Sequence, residues 1–316
     1  MKSRDMLKDY VVEEPHPLLE AKTIQIVLVR ELLDFTVLRT EESREVNDVS
    51  TPLSTANGAT VRRVAFLASK QKAAESRELE QMLRTATRAE RQECYLPNSL
   101  CLECPRCGLF GGTNTESGSE KIGNIRHRIE YGTAFSLMPY QEISSATTFN
   151  AVNEVTQKTG QALGTRYAVI PASVFPSIIT LRSVTWHEFV LALKTLLSCK
   201  SYGAETRISG DVRNRILGIS AGWEEVITPL ELTLELHALC IEGVEGKTED
   251  LDSNTVERVL ETYRGYAGNP SKIRVFNPDE VTTLSSEVAK TELNEEFLST
   301  AYEDMRKYRE IQEKAK

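Results

Sequence analysis

Apolar and β-branched residues run together over residues 22–39, KTIQIVLVRELLDFTVLR, which predicts one long strand or a pair of strands. The next stretch, TEESREVNDVSTPLSTANGAT, is polar and small with no periodic apolar face, and reads as a mobile loop. VRRVAFLA predicts another strand. SKQKAAESRELEQMLRTATRAERQ predicts a helix, with Leu79, Met82 and Leu83 at helical spacing.

Residues 124–183 contain further β-like runs, among them HRIEYGTAFSLM and RYAVIPASVFPSIITLR. They are joined by EISSATTFNAVNEVTQKTGQALGT, whose Thr, Asn, Gln and Gly content suits an extended hairpin projecting from the sheet. WHEFVLALKTLLSCK predicts a helix on which Phe189, Leu193, Leu196 and Leu197 share a face. Ile216 to Ile219 predicts a strand interrupted by Gly218, and TPLELTLELHALCIE a helix that Pro229 opens at its first position. SNTVERVLETYRGY and TELNEEFLSTAYEDMRKYREIQEKAK both predict amphipathic helices, the last charged enough to be solvated or partner-facing. Strand, helix, strands, helix is the order of an α+β protein and is compatible with a ferredoxin-like βαββαβ core carrying insertions. The expected division is a first part of the core at 1–39, an insertion at 40–123, the rest of the core at 124–241 and a helical segment at 242–316.

The composition, 40% hydrophobic and 27% charged over 316 residues, excludes disordered and collagen-like chains. No apolar run approaches the roughly 18 residues of a membrane helix, and MKSRDMLKDYVVEEP lacks the apolar stretch of a signal peptide, so a soluble, cytoplasmic protein with no membrane partner is expected. The net charge of −8 argues against a nucleic-acid partner until it is divided along the chain. Residues 1–120 carry −3, 121–220 carry +5, 221–241 carry −4 and 242–316 carry −6. The middle alone is positive.

Four of the six cysteines fall close together, as Cys94-x6-Cys101-x2-Cys104-x2-Cys107. Thiolates at this spacing suit one tetrahedral, structural Zn²⁺; a group of buried reduced thiols and a redox Cys-x2-Cys are the alternatives. Cys104-Pro-Arg-Cys107-Gly has the tight-turn composition of a zinc knuckle and supplies the firmest two ligands. The expected ligand set is Cys104, Cys107, Cys101 and Cys94; because three consecutive x2-spaced cysteines do not easily turn onto one ion, the alternative is that one of the four is free, with His127 in place of Cys94 or Cys101.

The basic residues of the middle form two clusters. One is Lys121, Arg126, His127 and Arg128; the other is Arg207, Arg213 and Arg215 in YGAETRISGDVRNRILG. Arg213 and Arg215 point to one side if their segment is a strand, and Gly203 and Gly210 permit close approach of backbone to a ligand. A guanidinium pair beside a glycine turn suits phosphate contacts, while an edge strand with solubilising arginines is the plainer alternative. No GxxxxGK[ST], GxGxxG, HExxH or GxSxG motif is present, and the four histidines are dispersed. His187 and His237 read as packed core residues, and Glu116, Glu120, Glu130 and Glu142 form no pair at a catalytic spacing. No enzymatic activity is expected.

CPRCGLFGG, RIEYGTAFSL, TTFNAV, PASVFPSIITLRSVT and YGAETRISGDVRNRILGI occur in an order that resembles the crRNA-binding backbone subunit of type I-D CRISPR interference complexes, a member of the RAMP superfamily. The resemblance covers residues 100–240 well and the N-terminal third weakly. It implies a modified RRM-like, ferredoxin-like palm with a zinc-binding insertion, a helical insertion and a thumb hairpin at about 142–166, with Phe149 and Asn150 near the start of the thumb. It further implies a non-catalytic subunit that polymerises with copies of itself along the crRNA, grips the guide without sequence specificity, presents it to target DNA and meets the other subunits of the effector complex. Arg213, Arg215, Arg207, Lys121, Arg126 and Arg128 would then supply charge to the guide, and Arg30 and Arg39 are either guide-facing or solvated. Some relatives cut RNA through an acidic residue; Asp34, Asp48 and Asp211 are the candidates for that alternative, a metal-dependent ribonuclease. A zinc-stabilised DNA-binding module is a third.

Overall fold

The computed structural model describes residues 2–40, 45–87, 94–96, 99–114, 123–152, 154–203, 210–243 and 247–314. After a short helix α1 (Lys2–Leu7), the first apolar run forms β1 (Thr23–Leu32), buried along nearly its whole length. Such a strand, covered on both faces, loses the alternation of a half-exposed one. The polar stretch expected to be a loop contains β2 (Asp48–Pro52), which pairs with β3 (Thr60–Phe66). Thr51 alone is buried in β2, so the sequence shows no alternation there.

Helix α2 (Ala68–Ala86) leads into the cysteine module, with α3 (Pro105–Phe110), β4 (Gly112–Asn114) and β5 (Gly123–Ile125). Then come β6 (Ile129–Tyr131), β7 (Ala134–Phe135), which extends the β2–β3 pair, and the short α4 (Tyr140–Ile143). The Thr/Asn-rich segment is a two-stranded hairpin, β8 (Ser144–Val152) and β9 (Thr159–Val169), that pairs with no third strand among the described residues. The chain continues through β10 (Val174–Arg182), α5 (Trp186–Ser198), β11 (Val212–Gly222), α6 (Pro229–His237), α7 (Ser253–Arg264), β12 (Arg274–Val275), α8 (Pro278–Lys290) and α9 (Glu295–Lys314).

The central sheet has the order β12-β11-β1-β10-β6, and all its pairs are antiparallel. With β12 set aside, the core strands lie in the order fourth, first, third, second, and α2 and α5 are the two crossover helices of a βαββαβ, ferredoxin-like core. Helix α2 therefore belongs to the core rather than to an insertion; its Leu79 and Leu83 pack with α5 against the sheet. Both α5 and α6 open with a capping box, on Thr185 and Thr228, and Pro229 takes the first position of α6 as predicted.

Alternation along β1 assigns its side chains to two layers. Ile24, Ile26 and Leu28 enter the core shared with α2, α5, α8 and α9, whereas Val27 and Val29 enter the one shared with α6 and α7. His237 is buried in α6, and half-buried His187 packs on the edge of Phe297, as expected of core histidines.

Candidate metal centre and nucleic-acid face

The knuckle turn is local chemistry. The Cys104 thiol caps α3 by accepting from the Cys107 N–H at 3.5 Å, Pro105 takes the first helical position, and Gly111 ends the helix at φ 76°. This places Cys104 and Cys107 on one side of a helical turn. Cys94 and Cys101 arrive from the preceding loop, and the four sulfurs lie within 4.8 Å of one another, all buried. Cys94 Sγ is 3.5 Å from Cys107 Sγ and 3.7 Å from Cys104 Sγ. A tetrahedral ion with metal–sulfur bonds of about 2.3 Å sets its ligands roughly 3.8 Å apart, so the donor set fits a divalent metal. Sharing hydrogen bonds with Cys101, Cys107 and Cys94, and burial besides, push the Cys104 thiol up; four thiolates this close repel one another and do not form together without a cation between them. All four cysteines of the expected set lie in the group. Cys94 comes from outside the x2-spaced run, so that spacing need not carry all four ligands. His127 is exposed and stands outside the group.

The module is closed by a helix that sequence pattern alone reads as solvated or partner-facing. Met305 and Tyr308 of α9 are buried against Cys94, Leu100, Leu102 and Ile125. The stripe Leu298, Ala301, Met305, Tyr308 carries the signal at helical spacing, but the pattern does not name its partner.

Arg213 and Arg215 extend from β11 on one face, in register with Glu31 and Val29 of β1, and both are exposed. Arg213 donates to Glu31 through Nε at 3.1 Å and Nη2 at 2.5 Å. Arg215 has no ion pair among the described residues. At the same end of the sheet lie exposed Leu33 and Phe35 and the root of the β8–β9 hairpin, where Thr36 and Val169 exchange backbone hydrogen bonds of 3.0 and 2.9 Å. Gly210, at φ 63°, sits so close to Gly203 and Thr36 that an added Cβ would meet both at 2.8 Å. The glycine pair thus serves a backbone crossing within the fold.

Arg128, expected at the guide, and Arg30, read as guide-facing or solvated, are both internal. Arg128 is fully buried, its guanidinium bound in two places to Glu188. Arg30 is also fully buried, 2.7 Å from Glu75, and donates to Tyr202 and Asn214. Both guanidiniums face carboxylates distant in sequence, which leaves neither available to phosphate. Arg126 is exposed, and Arg39 is half-exposed. Lys121, Arg207, Glu116 and Glu120 lie outside the described residues, as do the side chains of Phe149 and Asn150, whose backbones belong to β8. Glu130 is held by Arg182 at 2.8 Å, and Glu142 is exposed. Of the acidic candidates, Asp48 is bound to Arg62 at 2.6 Å and Asp34 accepts from the Phe35 N–H at 2.7 Å. Among the described residues, no group of three carboxylates gathers as metal ligands.

No helix among the described residues is long and apolar enough to cross a membrane. No curated protein matches the chain. The crystal structure of Thermofilum pendens Csc2 superposes with a TM-score of 0.62 at 19% identity, covering 96% of this chain and 95% of that one. Chains from a type IV-B CRISPR complex and from a CRISPR RNA-guided surveillance complex score 0.44 and 0.46, both at 12% identity, over 61% and 77% of this chain and 90% and 83% of theirs. The fold likeness is carried by the first of these, an α+β protein sharing nearly the whole length. The profile of the Csc2 CRISPR proteins matches residues 8–302, and with that match over the central sheet, the cysteine module and the start of α9 the chain belongs to the Csc2 CRISPR family.

Proposed function

We propose that the protein is a crRNA-binding backbone subunit of a type I-D CRISPR effector complex, polymerising along the guide, holding it without sequence readout and presenting it to target DNA. Its cysteine centre would hold structural Zn²⁺: four thiolates leave no open position for water, so the ion's contribution is to fold the module. The protein acts in the cytoplasm without catalysis of its own, beside the other subunits of the complex.

The observation that carries the reading is the exposed pair Arg213 and Arg215 on one strand face, at the sheet end where the β8–β9 hairpin is rooted. A backbone cradle needs cations at strand spacing beside an element that can reach over the strand, and base-edge readers are unnecessary. Glu31 holds Arg213 in place until phosphate competes for it, so Arg215 is expected to contribute more of the binding.

Changing both arginines to alanine should weaken binding of unrelated single-stranded RNAs by a similar factor and flatten the salt dependence by about 0.7 per lost phosphate contact. Filter binding at two salt concentrations checks it, and unchanged affinity removes the pair from the interface. A discrete guide-sized RNA copurifying with the protein, expressed with its own guide locus, would support the class independently.

A further inference from the structure

We propose that the cleft between α2 and the cysteine module is a second nucleic-acid site, which takes the phosphodiester backbone of a single strand on the layer opposite Arg213 and Arg215. This rests on nucleic acid being a partner of the chain, but on none of the residues of the β11 face.

The cleft has a volume of about 510 Å³, within the roughly 300–1,000 Å³ of ordinary ligand sites. Lys72 of α2, Arg106 of α3 and His127 line it, and no carboxylate does so among the described residues. Lys72 has no hydrogen bond or ion pair among the described residues. The carboxylate that acts on both Lys72 and His127, Glu130, is already committed to Arg182 at 2.8 Å. Arg106 is 5% exposed and anchored, donating through Nε to Ser76 at 2.9 Å and through Nη1 toward Cys107 Sγ at 3.9 Å. Arg106 thus fixes the wall between α2 and the module, its charge set against the cysteine centre, and Lys72 is the cation the cleft offers to a ligand.

Gathering these groups costs the fold free energy. Burial and the neighbouring Arg106 pull Lys72 below its ordinary value, and burial, then Lys72 and Arg126, do the same to His127. No carboxylate lines the cleft among the described residues, so the Lys72 ammonium, with the neutral His127 imidazole beside it, is left to an external anion, on which the low-dielectric walls focus its field. Exposed Leu96 in the lining gives sugars and bases an apolar surface to lie on, which favours a strand over a bare anion.

The two cation sets lie on different layers. Arg30, next to Glu31 on β1, turns toward Glu75 on α2, whereas Glu31 turns the other way to Arg213. The sites are therefore independent, and their effects should add.

The test uses the full chain and a labelled oligouridylate, with affinity measured by anisotropy across a salt series. Lys72→Glu with His127→Glu should lower affinity several-fold and flatten the salt slope, Lys72→Arg should retain binding, and metal content should stay unchanged in all. Combination with the Arg213/Arg215 double alanine should give the product of the two losses. If the glutamate pair binds with unchanged affinity and slope while the Arg213/Arg215 variant is weakened, the cleft site is overturned and the β11 face stands. Loss in the glutamate pair alone would support the cleft and sink the β11 reading.

Discussion

Serine at Cys94 is expected to cost the protein its metal as fully as serine at Cys104. Each sulfur of the group is within 4.8 Å of the other three, so each substitution leaves a three-ligand site with an open corner. A fully liganded structural zinc is worth about 10–16 kcal/mol in small fingers at neutral pH, and much of that stability depends on the closed shell. Elemental analysis after dialysis against a chelator should give close to one zinc per chain for the native protein and far less for either variant. The loss should also spread beyond the module. Leu100, Leu102 and Ile125 pack with the four cysteines against Met305 and Tyr308, so hydrogen exchange should rise in the middle of α9 while β1 and β10 stay protected. A Cys94→Ser protein that kept stoichiometric zinc would show that the ion is held by three cysteines and another donor.

What was legible in the sequence was local. The knuckle turn follows from a Pro between two thiols and a Gly beyond them, and α6 from Thr228, Pro229 and Glu231 at its start. Helix α8 carries the same kind of capping signal in Asn277, Pro278 and Glu280, although its apolar face is too sparse to mark it by periodicity. Strand β2 was hidden because one buried residue makes no pattern. What sequence could not give was the partner of a charge. Arg30 and Arg128 sit in basic or apolar runs that suit a ligand, but whether a guanidinium faces solvent depends on Glu75 and Glu188, which the topology alone brings near. Arg213 and Arg215 were assigned correctly to one face because strand periodicity is short-ranged and one bulge, past Arg215, leaves their pairing with β1 intact.

The buried pair Arg128–Glu188 carries the second large expected effect. Arg128 Nη1 donates to Glu188 at 2.7 Å, Nη2 binds the other carboxylate oxygen, Nε reaches the Gly108 carbonyl at 3.3 Å, and the guanidinium lies 5.5 Å from the centre of the Tyr308 ring. Glu188 also accepts from the Thr185 N–H at 2.9 Å to cap α5. One ion pair thus ties the start of α5, the end of the cysteine module and α9 together. Glu188→Ala leaves a charged guanidinium with no anion in a site of zero exposure, a loss of about 3–5 kcal/mol and so a large fraction of an ordinary domain's stability. Arg128→Met with Glu188→Gln removes both charges and should recover a substantial part of it, because desolvating the pair cancels much of its attraction. Urea unfolding of the two singles and the double closes the cycle. Arg128→Met alone, if folded, should bind RNA as the native protein does; normal stability with weakened RNA binding would instead return Arg128 to the guide.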